Sequence, residues 1–352
     1  MKHHVKRLLR RGVAAVLHTT GLRRLFRARR GGVPVLMFHN VGEPPETAYI
    51  PGHMKVSESR MERLLSLLHR SGFRTLTVGQ MVAALRRGEC PADRVVLTFD
   101  DGYKDNHDRL LPLLAAHGAT ATVFVQTGPM HGRINWLHHY FWVLHRRGPH
   151  ALGEELAARL PGAEAQARLR ALPRDPVAAE YQLKRVLKYS VSADERDRLL
   201  EEIFLAAGGD DAELARQVWL SPSDCRALDA AGVEVGAHTV NHLVLSSLDR
   251  DTQRAEIAGS LTDLRAWLGH DVRSFAYPYG RSWDYNEDTL AVLRELGLES
   301  AITAMPGLNQ PTTDALHLRR IAVGEDVPLA EILCEVDGVF DWFARRGLNL
   351  RS

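Results

Sequence analysis

The chain alternates between short runs of β-branched and aromatic residues and longer stretches in which apolar residues recur every three or four positions. Seven β-rich runs stand out: Val33 to Val41, Arg94 to Phe99, Ala119 to Gln126, Val233 to His238, Val272 to Tyr277, Glu299 to Ala304 and Leu318 to Val323. Helical periodicity marks Ser57 to Arg70, Val78 to Arg87, Asn106 to His117, Pro222 to Ala231, Asp249 to Leu268, Asn286 to Leu296 and Pro328 to Arg345, several opening on Ser, Asp or Pro start signals. This alternation predicts an α/β fold with a parallel sheet, open or closed into a barrel.

The rhythm breaks between about residues 130 and 219, where the pattern is helical, rich in Ala, Leu, Arg and Glu, and free of any convincing strand. The stretch is read as an α-helical insertion between the third and fourth strands. It opens with Trp136, Tyr140, Phe141 and Trp142 interleaved with His138 and His139. Aromatic residues at this spacing serve either as packing within the insertion or as a platform for a sugar ring.

A chain of 352 residues, 45% hydrophobic and 25% charged, has ordinary globular composition, which excludes a disordered, collagen-like or coiled-coil protein. The net charge of +2 conceals an asymmetry. Residues 1–30 carry ten Lys or Arg and no acidic residue, leaving 35 basic against 43 acidic residues in the remainder, a balance of −8. A nucleic-acid binder should carry its positive surface on the folded body, so no nucleic-acid partner is expected.

The basic segment, residues 1–32, starts like a signal peptide. Its apolar centre from Val13 to Leu17 is too short for a secretory segment of roughly 7 to 15 residues or a span of about 20, so it is read as uncleaved. Leu8, Leu9, Val13, Val16 and Leu17 fall on one helical face with arginines around it. This suits peripheral contact with an anionic membrane surface, although a solvated basic helix or disordered leader fits equally well. Cys90, Cys225 and Cys334 are odd in number and widely spaced, which fits a reducing compartment and a cytoplasmic location, at the inner face of the membrane if the arm binds it.

Four polar motifs end β-rich runs. Asp100 and Asp101, in Thr98-Phe99-Asp100-Asp101-Gly102, repel each other unless a cation or a shared proton intervenes, although either alone is ordinary at a strand-to-helix turn. His238 and His242, in His-Thr-Val-Asn-His, can converge on one divalent ion, and a carboxylate from another strand would complete a His2Asp site with an open position. Pro278-Tyr279-Gly280 makes a rigid turn that could present a backbone N–H, and His39 ends the first run. Carboxyl ends of strands are where α/β barrels place their active sites.

Taken in order, TFDDG, HTVNH and FAYPYG resemble the polysaccharide deacetylases of carbohydrate esterase family four, the NodB-homology fold. The resemblance covers roughly Val33 to Arg345 apart from the insertion. It implies a distorted (β/α)7 barrel of the NodB-homology type at residues 33–345 with the α-helical insertion at about 130–219, preceded by the basic arm at 1–32 and followed by a tail at 346–352. It also implies a metal-dependent hydrolase that removes N-acetyl groups from a hexosamine in a polysaccharide, oligosaccharide or lipid-linked precursor. One divalent ion, most often Zn2+, would be held by Asp101, His238 and His242. Asp100 would be the general base, and the Tyr279 backbone N–H beside Pro278 would help hold the oxyanion.

Two positions depart from the common pattern. The usual C-terminal Leu-x-His is represented only by Ala315-Leu316-His317-Leu318, with altered spacing. His39 is therefore the preferred acid, since PVLMFHNVG resembles the opening of the exopolysaccharide and poly-N-acetylglucosamine deacetylase branch, and His317 is the second candidate. The arginine that commonly positions the base is replaced by Ala276, and Arg320 is the substitute considered. Deformylation or O-deacetylation of a related sugar, and glycan binding without catalysis, are the rival functions.

Overall fold

Each of the seven β-rich runs contributes a strand to one sheet in the computed structural model, which describes residues 2–348 and 350. Of the expected arm and tail, Met1, Asn349, Arg351 and Ser352 lie outside the described residues. In chain order the strands are β1 (Val33–Phe38), β2 (Asn40–Val41), β3 (Lys55–Val56), β4 (Arg74–Leu76), β5 (Arg94–Phe99), β6 (Thr122–Val125), β7 (Glu234–Ala237), β8 (Ser274–Ala276), β9 (Ser300–Ile302), β10 (Leu308–Asn309) and β11 (Ile321–Ala322). Helices are α1 (Lys2–Thr19), α2 (Arg24–Arg27), α3 (Glu58–Arg70), α4 (Val78–Arg86), α5 (Leu111–Ala116), α6 (Trp136–Arg159), α7 (Ala163–Arg170), α8 (Pro176–Tyr189), α9 (Ala193–Ala206), α10 (Asp211–Val218), α11 (Pro222–Ala230), α12 (Arg250–Leu268), α13 (Glu287–Glu295), α14 (Leu329–Val336) and α15 (Val339–Ala344).

Strands β1, β5, β6, β7, β8 and β9 run parallel in that spatial order. The segment from Leu318 to Ala322 curls the sheet into a distorted barrel, because Leu318 bridges to Ile302 of β9 while Ile321 and Ala322 pair with Leu36 and Met37 of β1. Parallel strands covered on both faces need continuous apolar runs, and Val95 to Phe99 is buried almost without interruption. Val78, Met81, Val82 and Leu85 of α4 pack with Val33, Val35, Val96, Phe124, Ile302 and Leu318 in one buried cluster.

The chain forms two compact units. The barrel unit comprises Met1–Glu43, Gly52–Thr127 and Trp219–Ser352; the second comprises Pro44–Pro51 and Gly128–Val218. The second unit contains α6 to α10, and it takes in the short Pro44–Pro51 segment that periodicity does not reveal.

Two details differ from the pattern-based reading. Pro328 to Arg345 is not one helix, because Gly338 adopts a left-handed φ of 79° between α14 and α15. A Cβ there would come within 2.5 Å of Arg30, so this break is where the arm is seated. The arm is also not a free leader: Ala14 is buried with Cys334, Val339, Phe340 and Leu350, with Leu17 and Phe26 packed against them.

Candidate active site

Parallel register assembles the site. Phe38 lies level with Phe99, so the residues that follow, His39 and Asp100, emerge side by side, and the Asp100 N–H donates to the Phe38 carbonyl at 3.0 Å. Val125 lies level with Ala237, and the His238 N–H donates to the Val125 carbonyl at 3.0 Å. Ala237 pairs in turn with Phe275, which brings the Tyr277 to Gly280 turn to the same edge. Four separate segments therefore converge at the carboxyl ends of the strands.

Local backbone strain concentrates at this edge. Among the described residues, the non-glycine positions with left-handed φ are Asp101 (73°), Thr239 (64°), His242 (56°) and Tyr279 (61°), and all four belong to these motifs. Such conformations cost of order 1–3 kcal/mol each and persist where the surroundings over-determine them. Gly280 shares the constraint, since its φ is 70° and a Cβ would meet the Ala304 nitrogen at 2.6 Å.

Asp101, His238 and His242 are buried, and one potential ligand atom from each lies within 4.8 Å of the others. Asp101 Oδ1 is 3.5 Å from His238 Nε2 and 3.4 Å from His242 Nε2. His238 Nδ1 donates to the Ala276 carbonyl at 2.7 Å, which aims Nε2 at the cluster and sets the tautomer suited to metal ligation. The His242 N–H donates to Thr239 Oγ1 at 3.0 Å. Burial opposes ionisation of Asp101, but His238, His242 and His39 outweigh it and hold the carboxyl well below the usual carboxylate range. Burial likewise opposes the charged form of His238, and Asp101, Asp100 and the Ala276 carbonyl reverse this and raise it. The donor set, one anionic oxygen and two imidazole nitrogens on buried side chains, fits a divalent ion.

Arg320 occupies the closing segment and reaches the neighbouring carboxylate. Its Nη1 donates to Asp100 Oδ1 at 2.6 Å and its Nε donates to the Thr303 carbonyl at 2.9 Å. Both side chains are almost fully buried. Burial favours the neutral acid, yet Arg320 first, then His238 and His39, keep Asp100 below its ordinary range and ionised at neutral pH.

The polysaccharide deacetylase family profile matches residues 87–153 and 198–301, which carry TFDDG, HTVNH and FAYPYG. These residues form a polysaccharide deacetylase domain. Its family is one of enzymes that act on N-acetyl groups of carbohydrates. The chain is 22% identical over 293 residues to YxkH of Bacillus subtilis, which carries a polysaccharide deacetylase name, covering 83% of this chain and 71% of that protein. A shorter segment of 86 residues is 33% identical to the poly-beta-1,6-N-acetyl-D-glucosamine N-deacetylase of Escherichia coli, spanning 24% of this chain and 12% of that protein. Among solved structures, the Streptococcus pyogenes deacetylase PplD is similar with a TM-score of 0.55 and 21% identity, covering 86% of this chain and 97% of that one. IcaB from Ammonifex degensii has a TM-score of 0.54 and 17% identity over 87% and 97% of the two chains. These likenesses place the fold in the NodB type.

Around this deacetylase domain, the two candidate acids separate. His39 is half-buried beside Asp101, Asp100, Arg320 and His238; burial lowers its pKa against the pull of the carboxylates. Neither His39 ring nitrogen has a hydrogen-bond partner among the described residues, which leaves them available to a bound substrate. His317 is instead engaged with Asp314 at 3.0 Å and lies against Tyr285. In the second unit Trp136, Tyr140, Phe141 and Trp142 are buried, so they are packing residues and not an exposed sugar platform.

Two supporting groups escaped the sequence reading. Asp105 accepts from Asn40 Nδ2 at 3.0 Å and from Asn106 Nδ2 at 2.9 Å, and Asn106 Nδ2 also donates to the His39 carbonyl at 3.0 Å. Asn106 begins a π-helical turn, Asn106–Leu110, which directs its side chain back toward β1. Glu256, on the buried face of α12, accepts from the Asn241 N–H at 2.8 Å and from Asn241 Nδ2 at 2.6 Å, fixing the loop that carries His242. Polar residues at core-facing positions of α12, Gln253, Glu256 and Ser260, were the one available signal.

Proposed function

We propose that this protein is a metal-dependent N-deacetylase acting on an N-acetylated hexosamine in a polysaccharide, oligosaccharide or lipid-linked glycan precursor. The observation that carries the reading is the buried Asp101–His238–His242 cluster beside an ionised Asp100 held by Arg320. Resemblance of one segment to an N-deacetylase of poly-N-acetylglucosamine supports the substrate class.

Asp101, His238 and His242 would hold the divalent ion, with Zn2+ the best match to one carboxylate and two imidazoles. When bound, such an ion supplies Lewis-acid polarisation of an amide carbonyl and makes water more acidic. Asp100 accepts a proton from the attacking water, its carboxylate oriented by the Arg320 hydrogen bond. The strained turn at Tyr279 presents its backbone N–H toward the developing oxyanion, and Pro278 limits the turn's freedom. His39, beside Asp100 and Asp101, donates the proton that lets the amine leave. A cytoplasmic location at the membrane is part of the proposal, and three free thiols, two of them buried, support a reducing compartment.

The test combines elemental analysis with product identification on N-acetylglucosamine oligomers. Near one equivalent of divalent metal in wild type, lost in Asp101→Ala and His242→Ala, together with release of acetate, is the expected result. Formate release from a formylated aminosugar, or acetate from an O-acetylated sugar alone, would replace N-deacetylation by the rival hydrolysis. Saturable glycan binding without turnover by metal-loaded protein would favour a non-catalytic role.

A further inference from the structure

We infer that the outer face of α1 and α2 is a docking surface for an anionic lipid bilayer. The inference is independent of the deacetylase reading. It rests on how the folded chain divides the arm's residues into two sets.

The inward set seats the arm on the barrel unit. Arg10 pairs with Glu331 at 2.7 Å and Glu335 at 3.2 Å, and Arg11 pairs with Glu331 at 3.4 Å. Arg23 and Arg27 both pair with the buried Asp337, and Arg30 donates to the carbonyls of Val336 and Arg94. These arginines meet the acidic residues of α14 and its C-terminal cap, so they contribute little positive field outward. Ala14 and Leu17 belong to the same seated face, which corrects the single apolar face expected from the sequence.

The outward set is different in kind. Lys6, Arg7, Arg24 and Arg29 are exposed, and their side chains have no ion pair among the described residues. Leu8, Leu9, Val16, Leu22 and Leu25 stand between 47% and 63% exposed. Among the described residues of the barrel unit they are five of the seven exposed large apolar side chains, the others being Trp283 and Leu348. Such a concentration marks an interaction surface, whereas scattered single exposures do not. At the end of α15, half-exposed Trp342 packs edge-on against Phe26 at 5.2 Å, with the Arg346 guanidinium 3.7 Å over its ring. An aromatic ring beside a cation suits the headgroup level of a bilayer.

Charge selects the occupant. The arm has no acidic residue of its own, so an anionic surface matches the unpaired cations while the leucines enter the acyl boundary. A two-fold contact with a second copy would bring one uncompensated basic face against another. No helix among the described residues is long and apolar enough to cross a membrane, so the attachment inferred here is peripheral.

The direction of the arm determines how the enzyme would sit. Arg11 Nη2 donates to the Asp326 carbonyl, beyond the carboxyl end of β11, whereas Arg30 reaches the carbonyl of Arg94 at the start of β5. The arm thus runs along the flank of the sheet from the site end to the opposite end. A bilayer against this flank lies beside the barrel and leaves the carboxyl-end face open to headgroup-level glycan.

The experiment is co-sedimentation of the full-length protein with vesicles of phosphatidylcholine alone or mixed with phosphatidylglycerol. Salt-sensitive binding to the anionic vesicles is expected. It should fall at least tenfold in Arg24→Glu/Arg29→Glu and in Leu8→Ser/Val16→Ser, and remain unchanged in Arg198→Glu/Arg216→Glu, whose cations lie in the second unit. Circular dichroism and metal content of each variant establish that it is folded. Absence of binding to anionic vesicles overturns the inference, as does equal binding by the arm variants. A wild-type dimer that dissociates in the arm variants, without vesicle binding, would assign the face to self-association and also overturn it.

Discussion

Arg320 Nη1 donates to Asp100 Oδ1 at 2.6 Å, joining residues 220 positions apart. Neither group has solvent to compensate it, so removing one leaves the other charge buried and unpaired. Arg320→Ala is expected to destabilise the fold by about 3–5 kcal/mol. Asp100→Ala/Arg320→Ala should cost less than the sum of the single variants, and denaturant unfolding of the full cycle measures the difference.

His39 and His317 make different predictions for the same assay. His39 stands beside the carboxylate pair, whereas His317 is tied to Asp314 away from it. His39→Ala should lower kcat by roughly 10²–10⁴-fold while metal content is retained, the range expected for loss of a general acid. His317→Ala should change kcat by less than about threefold, with kcat and KM resolved separately.

Asp105 gives a pH dependence whose sign follows from its burial. Removal from water pushes its carboxyl up to about 7, against hydrogen bonds from Asn40 and the Val41 backbone and the charges of Arg109 and Lys55. Between the ordinary value of about 4 and this raised value the folded state keeps a proton that the unfolded state has lost. Stability from this group is therefore greatest in acid and falls as pH rises toward about 7, by a few kcal/mol at most. Asp105→Asn has no proton to lose. Its melting temperature relative to wild type should rise between about pH 4 and about pH 7 and level off above it, and thermal melts across that range check it.

Glu256 reaches the candidate metal cluster through Asn241. Both hydrogen bonds to Asn241 vanish in Glu256→Ala, which frees the strained loop holding His242. Metal affinity should fall about 10–100-fold, read by competition with a chromogenic chelator, and Glu256→Gln should recover part of it.

What could be read in the chain alone was what depends on local order. The seven strand runs, the helical insertion and the four polar motifs at strand ends all follow from periodicity and turn chemistry within a few residues. A buried parallel strand advertises itself by a continuous apolar run, and a strained functional residue by polar atoms where that run stops. The split between α14 and α15 was missed because a single glycine, Gly338, turns left-handed inside an otherwise continuous helical pattern, close against Arg30.

Tertiary structure decided every relationship that crosses the barrel. Arg320 becomes the partner of Asp100 because the Leu318–Ala322 segment closes β9 onto β1, a pairing no local pattern encodes. A π-helical turn likewise starts at Asn106, whose side chain donates to the His39 carbonyl and to Asp105, a link that joins β1 to the turn after β5. In the arm, Leu17 and Val16 are adjacent in sequence and both apolar, yet one packs toward the core and the other stands in solvent. Periodicity reads a single apolar face on that helix, and the position of Glu331, Glu335 and Asp337 determines which part of it the barrel covers.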